Sequence, residues 1–287
     1  MSTLHDLVVE AGGRLGTAGI RESEARLDAE ALARELLGWD RARFLTNRHD
    51  EAPTGFREDY DRLIARRAHR EPTSYIVGFR EFWGLEFEVS SDVLIPRPES
   101  EFLIEEALLC HATAGHAGLV VDAGTGSGCL AVVLARELPG AQIVATDISR
   151  KALAVARRNA VRHGVAGRVR FVCANFLSGV RPAPDLIVCN PPYVPRGVAP
   201  GLSPEVREFE PHVALFGGAD GLDNHRTVLT QAAERLSPPG HLLLEFGDGQ
   251  EEALRATVAR WPAFRIVRVR NDLQGIPRTM VLERSNE

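Results

Sequence analysis

The chain almost lacks lysine. Of its 34 basic side chains only Lys151 is a lysine, the rest are arginines, and 39 acids leave a formal net charge of −5. A protein that lives on nucleic acid is expected to carry a basic footprint, so this balance argues against one, and the arginine excess reads as composition bias rather than as a binding code. Cysteine is also scarce: Cys110, Cys129, Cys173 and Cys189 form no C-x-x-C pair. That spacing excludes a recognisable zinc or dithiol motif, and no metal is expected; the four are expected to be buried, reduced thiols, the last three standing in apolar runs. No apolar run approaches the length of a membrane span, and the opening MSTLHDLVVEAGG lacks a basic region followed by an apolar core. A cytoplasmic location without a membrane partner is the expectation.

What is present suffices for one large or two unequal domains: 287 residues, 44% of them hydrophobic and 25% charged. Residues 1–72 read as a small helical bundle with a docking role. SEARLDAEALARELLGW sets Leu27, Ala31, Leu32, Leu36 and Leu37 near one face, and FREDYDRLIARRAHR is a further amphipathic stretch. Its arginines Arg62, Arg66, Arg67 and Arg70 are expected on a solvated face beside Asp59 and Asp61. Residues 73–97 read as a linking β-hairpin, because YIVGFREFWGLEFEVS alternates at Trp83, Leu85, Phe87 and Val89 with Gly84 near the bend. A helix is expected after Pro98, with acids in its first turn where the helix dipole favours them.

Residues 98–287 carry the main domain. LVVDAG, AQIVATD, VRFVCAN, DLIVCN and HLLLEFG are short apolar runs, most of them separated by helical or loop segments, the pattern of an α/β fold with a doubly wound parallel sheet. At the end FRIVRVRN and TMVLER are joined by too few residues for a helix, which suits an antiparallel pair closing the sheet.

The segment VVDAGTGSGCLA follows the first of these strands and opens the next helix. Gly124, Gly126 and Gly128 allow a tight turn that brings a ligand close to main-chain N–H groups at a helix start. Asp147, about twenty residues on at the end of the second strand, is placed to accept hydrogen bonds from ribose hydroxyls. Gly126, Gly128 and Ala131 also match a dinucleotide fingerprint, so the loop by itself does not choose between a dinucleotide and S-adenosylmethionine. Asn175 and Phe176, after the third strand, could hydrogen-bond to and stack on an adenine.

The fourth strand ends in Asn190-Pro191-Pro192-Tyr193. Two prolines make a stiff corner that offers carbonyl oxygens and few donors. The side-chain oxygen of Asn190 and the carbonyl of Pro191 are two acceptors suited to the two N–H bonds of a planar –NH₂ group, and Tyr193 supplies a ring to cover a flat substrate. Held by both hydrogens, such a nitrogen could aim its lone pair at an electrophilic methyl group. This chemistry needs no His/Asp or Cys/His constellation, and none is evident.

Taken in order, GFREFWGLEFEVSSDVLIPRPESE, VVDAGTGSGCLA, VATDIS, CNPPYVP and EVREFEPHVALFGGADGL resemble the HemK family of release-factor glutamine methyltransferases. The resemblance runs from the helical N-terminus to the final strand. It implies a seven-stranded, Rossmann-like class I methyltransferase sheet with a small N-terminal helical bundle, and S-adenosylmethionine as cofactor. The implied activity is methylation of the side-chain amide of the glutamine in the Gly-Gly-Gln motif of class I peptide chain release factors. A monomer is expected. By position, the loop Gly124, Thr125, Gly126, Ser127 and Gly128 is similar to the family's methionine-binding turn. Asp147 then matches its ribose ligand, Phe176 its aromatic near the adenine, and Asn190 to Tyr193 its glutamine-binding corner, with Asn190 near the transferred methyl. Asn175 departs from the acid many members carry before that aromatic. Arg97 and Glu99 are candidates to line the cleft, with helix capping and domain packing as alternatives. Two other functions use parts of the same pattern. An adenine-specific DNA methyltransferase shares the NPPY corner but should carry a basic strip, and a nicotinamide oxidoreductase would leave that corner idle.

Overall fold

The computed structural model of the chain describes residues 2–114 and 118–285, which divide into two compact units. One comprises the chain up to Phe79 together with Ser203–Phe209; the other comprises Arg80–Leu202 and the chain from Glu210 onward.

The first unit is helical: α1 (Leu4–Thr17), α2 (Glu22–Leu37), α3 (Arg41–Asn47), α4 (Phe56–Ala68), α5 (Thr73–Val77) and, from far along the chain, a short helix at Pro204–Phe209. Helix α1 starts at a reciprocal cap in which Thr3 Oγ1 accepts from the Asp6 N–H at 3.1 Å and the Thr3 N–H donates to Asp6 Oδ2 at 3.0 Å. Helix α2 stops at Gly38, whose φ of +62° an L side chain rarely adopts. Buried Leu4, Leu7, Ala11 and Leu15 of α1 meet Ala25, Ala29 and Leu32 of α2 and Phe56, Tyr60 and Ile64 of α4, each set at helical spacing. The buried face of α2 is therefore turned relative to the expected one. Leu27 is 59% exposed, because the alanine positions are what permit close helix packing.

The four arginines do not share the expected solvated face. Arg62 and Arg66 remain on the surface, paired with Asp59 and Glu71. The Arg67 side chain is only 5% exposed; it donates to Asp28 Oδ2 at 2.7 Å and to Glu205 Oε1 at 2.9 Å, while Arg70 donates to Glu205 Oε2 at 2.8 Å. An acid from the distant 204–209 helix thus forms part of this unit's interior, which local charge patterning could not reveal.

In the second unit, β1 (Phe79–Phe82) and β2 (Leu85–Glu88) form a hairpin. It is shorter than the expected one, because Tyr75 to Val77 belong to α5. Trp83 and Gly84 have φ of +55° and +68°, the backbone of a two-residue hairpin turn whose twist matches its strands. After a 3₁₀ turn at Pro98–Ser100, α6 (Glu101–Ala114) leads to β3 (Leu119–Ala123), α7 (Cys129–Glu137), β4 (Gln142–Asp147), α8 (Arg150–Arg162), β5 (Val169–Cys173) and β6 (Leu186–Cys189). Numbering the 204–209 helix α9, the chain continues through α10 (Asp223–Arg235), β7 (Gly240–Glu245), α11 (Glu251–Val258), β8 (Phe264–Asn271) and β9 (Pro277–Arg284). The sheet order is β5-β4-β3-β6-β7-β9-β8, parallel from β5 to β7, with β9 antiparallel to both β7 and β8.

Both faces of the sheet are covered, so its central strands are largely apolar. Strand β3 is buried at every residue, and its alternate side chains divide between two cores. Val120 packs with α6 and α7 residues such as Leu103, Ile104 and Val133, and Val121 packs with α10 and α11 residues such as Val228, Leu229 and Leu254. Among the cysteines, Cys110, Cys129 and Cys189 are buried thiols, whereas Cys173 is exposed, contrary to expectation, because β5 is the edge strand.

Strand β3 pairs with β4 on one side and β6 on the other. At such a reversal of strand order the connections diverge and leave a crevice at the strands' C-terminal ends. The glycine loop, Asp147 and Asn190 follow those three strand ends.

Candidate active site

The loop after β3 is held by main-chain bonds and by the acids at the strand ends. The N–H groups of Gly124 and Thr125 both donate to the Thr146 carbonyl, at 2.9 and 2.8 Å, and the Gly126 N–H donates to Asp147 Oδ2 at 2.9 Å. Gly124, Gly126 and Gly128 have φ of +85°, +55° and +83°, and a β-carbon on Gly128 would lie 2.9 Å from the β-carbon of Ala156 on α8. Glycine is needed there both for conformation and for helix approach.

Gly124, Gly126, Asp147, Phe176, Asn190 and Pro192 line one cleft of about 160 Å³. Asn175 lines it too, as do Leu94, Ile148, Val213, Ala214 and Asn224, which sequence reading did not single out. Ile148 offers a signal in hindsight: an apolar side chain, 60% exposed, directly after a strand-end acid. Thr125, Ser127, Gly128, Pro191 and Tyr193 do not line this cleft. Thr125 and Ser127 are buried and serve the loop itself: Thr125 Oγ1 donates to Asp122 Oδ2 at 2.6 Å, and the Ser127 carbonyl accepts from Asn159 Nδ2 at 2.8 Å.

Two carboxylates stand at this loop. Asp147 accepts from the N–H groups of Gly126 and Ser149, and burial nevertheless holds its carboxyl above its ordinary value. Asp122 is fully buried, with Oδ1 unpartnered among the described residues; burial pushes it up to about 7 against the bonds from Thr125 and Ala131. Among the described residues no lysine or arginine lines the cleft. The balance favours a ligand with positive charge over one carrying phosphates.

The corner after β6 is braced on every side. Asn190 Nδ2 donates to Ser100 Oγ at 2.9 Å, Asn224 Nδ2 to the Pro192 carbonyl at 2.8 Å, Gln250 Nε2 to the Tyr193 carbonyl at 2.9 Å, and Tyr193 Oη to Glu245 Oε1 at 3.3 Å. Val194 pairs with the FGG segment through Val194 N–H to Leu215 O at 2.9 Å and Gly217 N–H to Val194 O at 3.0 Å. Asn190 Oδ1 and the Pro191 carbonyl accept no hydrogen bond among the described residues. The corner thus retains two unused acceptors, although Pro191 itself is buried. Arg97 does not act alone: it donates to buried Glu210 at 2.6 Å, within the EFEPHVALFGGADGL stretch.

Beneath the corner, Glu245 is 1% exposed, and burial raises its carboxyl to about 7 although Ser100 and Tyr193 both donate to it. Burial, with Glu245 beside it, likewise keeps the Tyr193 phenol protonated. His225 is held down to about 4, mainly by burial, so its ring is neutral and Nε2–H donates to the Glu245 main-chain carbonyl at 2.8 Å.

Two family models match the chain: the PrmC N-terminal domain over residues 6–78 and the methyltransferase small domain over residues 100–199. The chain is 42% identical over 282 residues to the release factor glutamine methyltransferase of Bradyrhizobium diazoefficiens, covering 95% of this chain and 93% of that one. It is 39% identical to the release factor glutamine methyltransferase of Moorella thermoacetica, covering 99% of this chain and all of the relative. The chain belongs to the release factor glutamine methyltransferase family. A methyltransferase from Pyrococcus furiosus shares the fold, with a TM-score of 0.54 at 18% identity over 71% of this chain and 91% of that one. In this family member the matched methyltransferase segment includes the glycine loop and the NPPY corner but ends at residue 199. Asn224, Glu245 and Gln250, which brace the corner, come from beyond it.

Proposed function

We infer that this chain transfers a methyl group from S-adenosylmethionine to the side-chain amide nitrogen of the glutamine in the Gly-Gly-Gln motif of class I peptide chain release factors. One observation carries the reading. Asn190 spends its amide N–H on Ser100 and keeps its oxygen free, at the end of a strand whose neighbour carries the glycine loop.

The cleft suits the cofactor. S-adenosylmethionine joins a ribose diol and an adenine to two cationic groups, and supplies an electrophilic methyl on a sulfonium. Asp147 offers carboxylate acceptors for the diol and favours positive charge, and Ile148 and Phe176 offer apolar surface for the base. The absence of cations from the lining counts against the pyrophosphate of a dinucleotide. An adenine amine could also use the corner, but relatives named for release factor glutamine favour the protein acceptor.

The acceptor amide is a weak nucleophile because its lone pair is delocalised into the carbonyl. Asn190 Oδ1 and the Pro191 carbonyl would take its two hydrogens, turning the nitrogen's lone pair toward the methyl and sharing the positive charge that grows as the N–C bond forms. A neutral, fixed pair of acceptors needs no base, since an alkylated amide nitrogen gives up its proton to water. Tyr193 remains a phenol and brings no charge to the corner. Incubation with a release factor and labelled S-adenosylmethionine tests the assignment. Label should enter the release factor and be lost when the Gly-Gly-Gln glutamine is replaced; label that persists after replacement would refute the acceptor.

A further inference from the structure

Asn190 Nδ2 donates to Ser100 Oγ at 2.9 Å, and Ser100 Oγ donates in turn to Glu245 Oε2 at 2.6 Å. We propose that Ser100 and Glu245 are positioning residues that set which way the Asn190 amide faces, so that its oxygen and not its nitrogen meets the acceptor's –NH₂ group. The inference rests on the glutamine-methylation reading and adds the residues that polarise its corner.

An amide presents an oxygen on one side and an NH₂ on the other, and a half-turn exchanges them at almost no steric cost. Only one orientation can accept an N–H bond from a substrate. A serine hydroxyl owns a single proton. When that proton is committed to a carboxylate, the serine oxygen can only accept, and it must receive the Asn190 NH₂. The bonds then run one way, from Asn190 to Ser100 to Glu245. Tyr193 Oη donates to the other oxygen of Glu245 at 3.3 Å, so both carboxylate oxygens are used as acceptors, which matches the ionised form. Ser100 and Glu245 are 3% and 1% exposed, so bulk water does not compete for these bonds.

Three separate pieces of the second unit meet here: Ser100 ends the 3₁₀ turn before α6, Glu245 ends β7, and Asn190 follows β6, which is paired to β7 through Cys189 opposite Leu244. Other groups act on Glu245. Glu99 opposes its charge and Arg278 favours it, the thiols of Cys129 and Cys189 are held protonated by burial, and neutral His225 bonds its main-chain carbonyl. If Glu245 takes up a proton, it can donate to Ser100 Oγ, and Ser100 is then free to donate to Asn190 Oδ1, reversing the amide. The polarity of the corner therefore follows the charge of an acid whose carboxyl burial holds near 7.

The test compares the full chain with Ser100→Ala, Ser100→Thr and Glu245→Gln, using labelled S-adenosylmethionine and a release factor. Ser100→Ala should lower kcat by about 10- to 100-fold, the loss of one buried hydrogen bond, while cofactor Kd stays within about twofold. Ser100→Thr keeps the hydroxyl and should restore kcat to within about threefold. In the wild type kcat should fall as pH drops through about 7, and Glu245→Gln should remove that limb. Since Asp122 is held at about the same value, the limb is assigned by its loss in Glu245→Gln. Full kcat in Ser100→Ala, or an acid limb that survives Glu245→Gln, overturns the inference; so does a fall in kcat matched by an equal loss of cofactor affinity.

A second readout needs no release factor. The side-chain NH₂ signals of Asn190 in ¹⁵N-labelled protein, identified by their loss in Asn190→Ala, should shift with pH around neutrality in the wild type and not in Ser100→Ala or Glu245→Gln. Responsive signals without methyl transfer would sink the glutamine reading and leave the relay standing. Unresponsive signals would sink the relay.

Discussion

A β-carbon on Gly217 would sit 2.5 Å from the Pro192 carbonyl oxygen, closer than a carbon can approach a main-chain oxygen without one of them moving. Gly217 also donates to the Val194 carbonyl at 3.0 Å, so the FGG strip and the NPPY corner are pressed together backbone to backbone. Gly217→Ala must displace the corner. Overpacking of this kind costs about 1–3 kcal/mol. Turnover should fall further than stability suggests, because a shift of about 1 Å in a positioning group can cost about 100-fold in rate. Denaturant unfolding and single-turnover kinetics on the same preparation measure both, and wild-type turnover in Gly217→Ala would show that the contact has no bearing on the corner.

On the proposed reading Asn190→Ala removes an acceptor for the substrate amide, although Asn190 also lines the cofactor cleft. The expected result is a fall in kcat of at least about 100-fold, with S-adenosylmethionine Kd changed by less than about threefold. Calorimetric titration of the cofactor beside a turnover assay separates the two effects. Equal losses would make Asn190 chiefly a cofactor ligand.

The alternation of the sheet was legible because its central strands are buried on both faces and read as short apolar runs, as in LVVDAG and DLIVCN. The glycine loop, Asp147 and Asn190 were legible because each stands at the end of such a run. Their brace was not. Ser100 and Gln250 look like ordinary polar residues, and Glu245 closes β7 after three leucines; only the pairing of β6 with β7 brings that acid beneath the corner. The misread face of α2 has a similar cause. Leucine spacing suggested Leu27, but the close approach of the helices was decided by Ala25, Ala29 and Ala33.

Asp147 has two tasks, since its Oδ2 holds the Gly126 N–H at 2.9 Å while its carboxylate lines the cleft. Asp147→Ala should therefore weaken S-adenosylmethionine by roughly 10- to 100-fold, the worth of hydrogen bonds to a charged group. At saturating cofactor kcat should recover to within about threefold, because no reacting atom is touched. Titration monitored by intrinsic fluorescence gives the affinity. Unchanged affinity would remove Asp147 from the cofactor site.

Glu205 holds two arginines at once, Arg67 at 2.9 Å and Arg70 at 2.8 Å, and the Arg67 side chain is 5% exposed. Glu205→Ala strands a buried guanidinium with Asp28 as its remaining acid. A loss of about 1–3 kcal/mol is expected, below the figure for an isolated buried pair because Asp28 persists. Thermal unfolding of wild type and variant decides it; equal midpoints would mean that the arginines find water instead.

The pH dependence of stability follows from acids shifted in opposite directions. Burial alone would raise Glu205, but the bonds from Arg70 and Arg67 pull it down to about 2 from an ordinary 4.5. Its contribution is present above pH 4.5 and is lost as pH falls toward 2, because the unfolded chain takes up that proton first. Asp122 and Glu245 run the other way. Burial raises both to about 7, so between their ordinary values and pH 7 the folded protein keeps protons that the unfolded chain has released. Stability from these two groups is therefore fully present below their ordinary values of 3.8 and 4.5, and is lost as pH rises from there through 7. Glu245→Gln removes one of them without removing volume. Relative to wild type the variant should gain stability steadily between about pH 5 and pH 7.5 and hold level above it, read from denaturant midpoints across that range. Wild-type and variant curves that run parallel over this window would mean that Glu245 is ionised throughout it, held so by Ser100, Tyr193 and Arg278 more firmly than its burial resists.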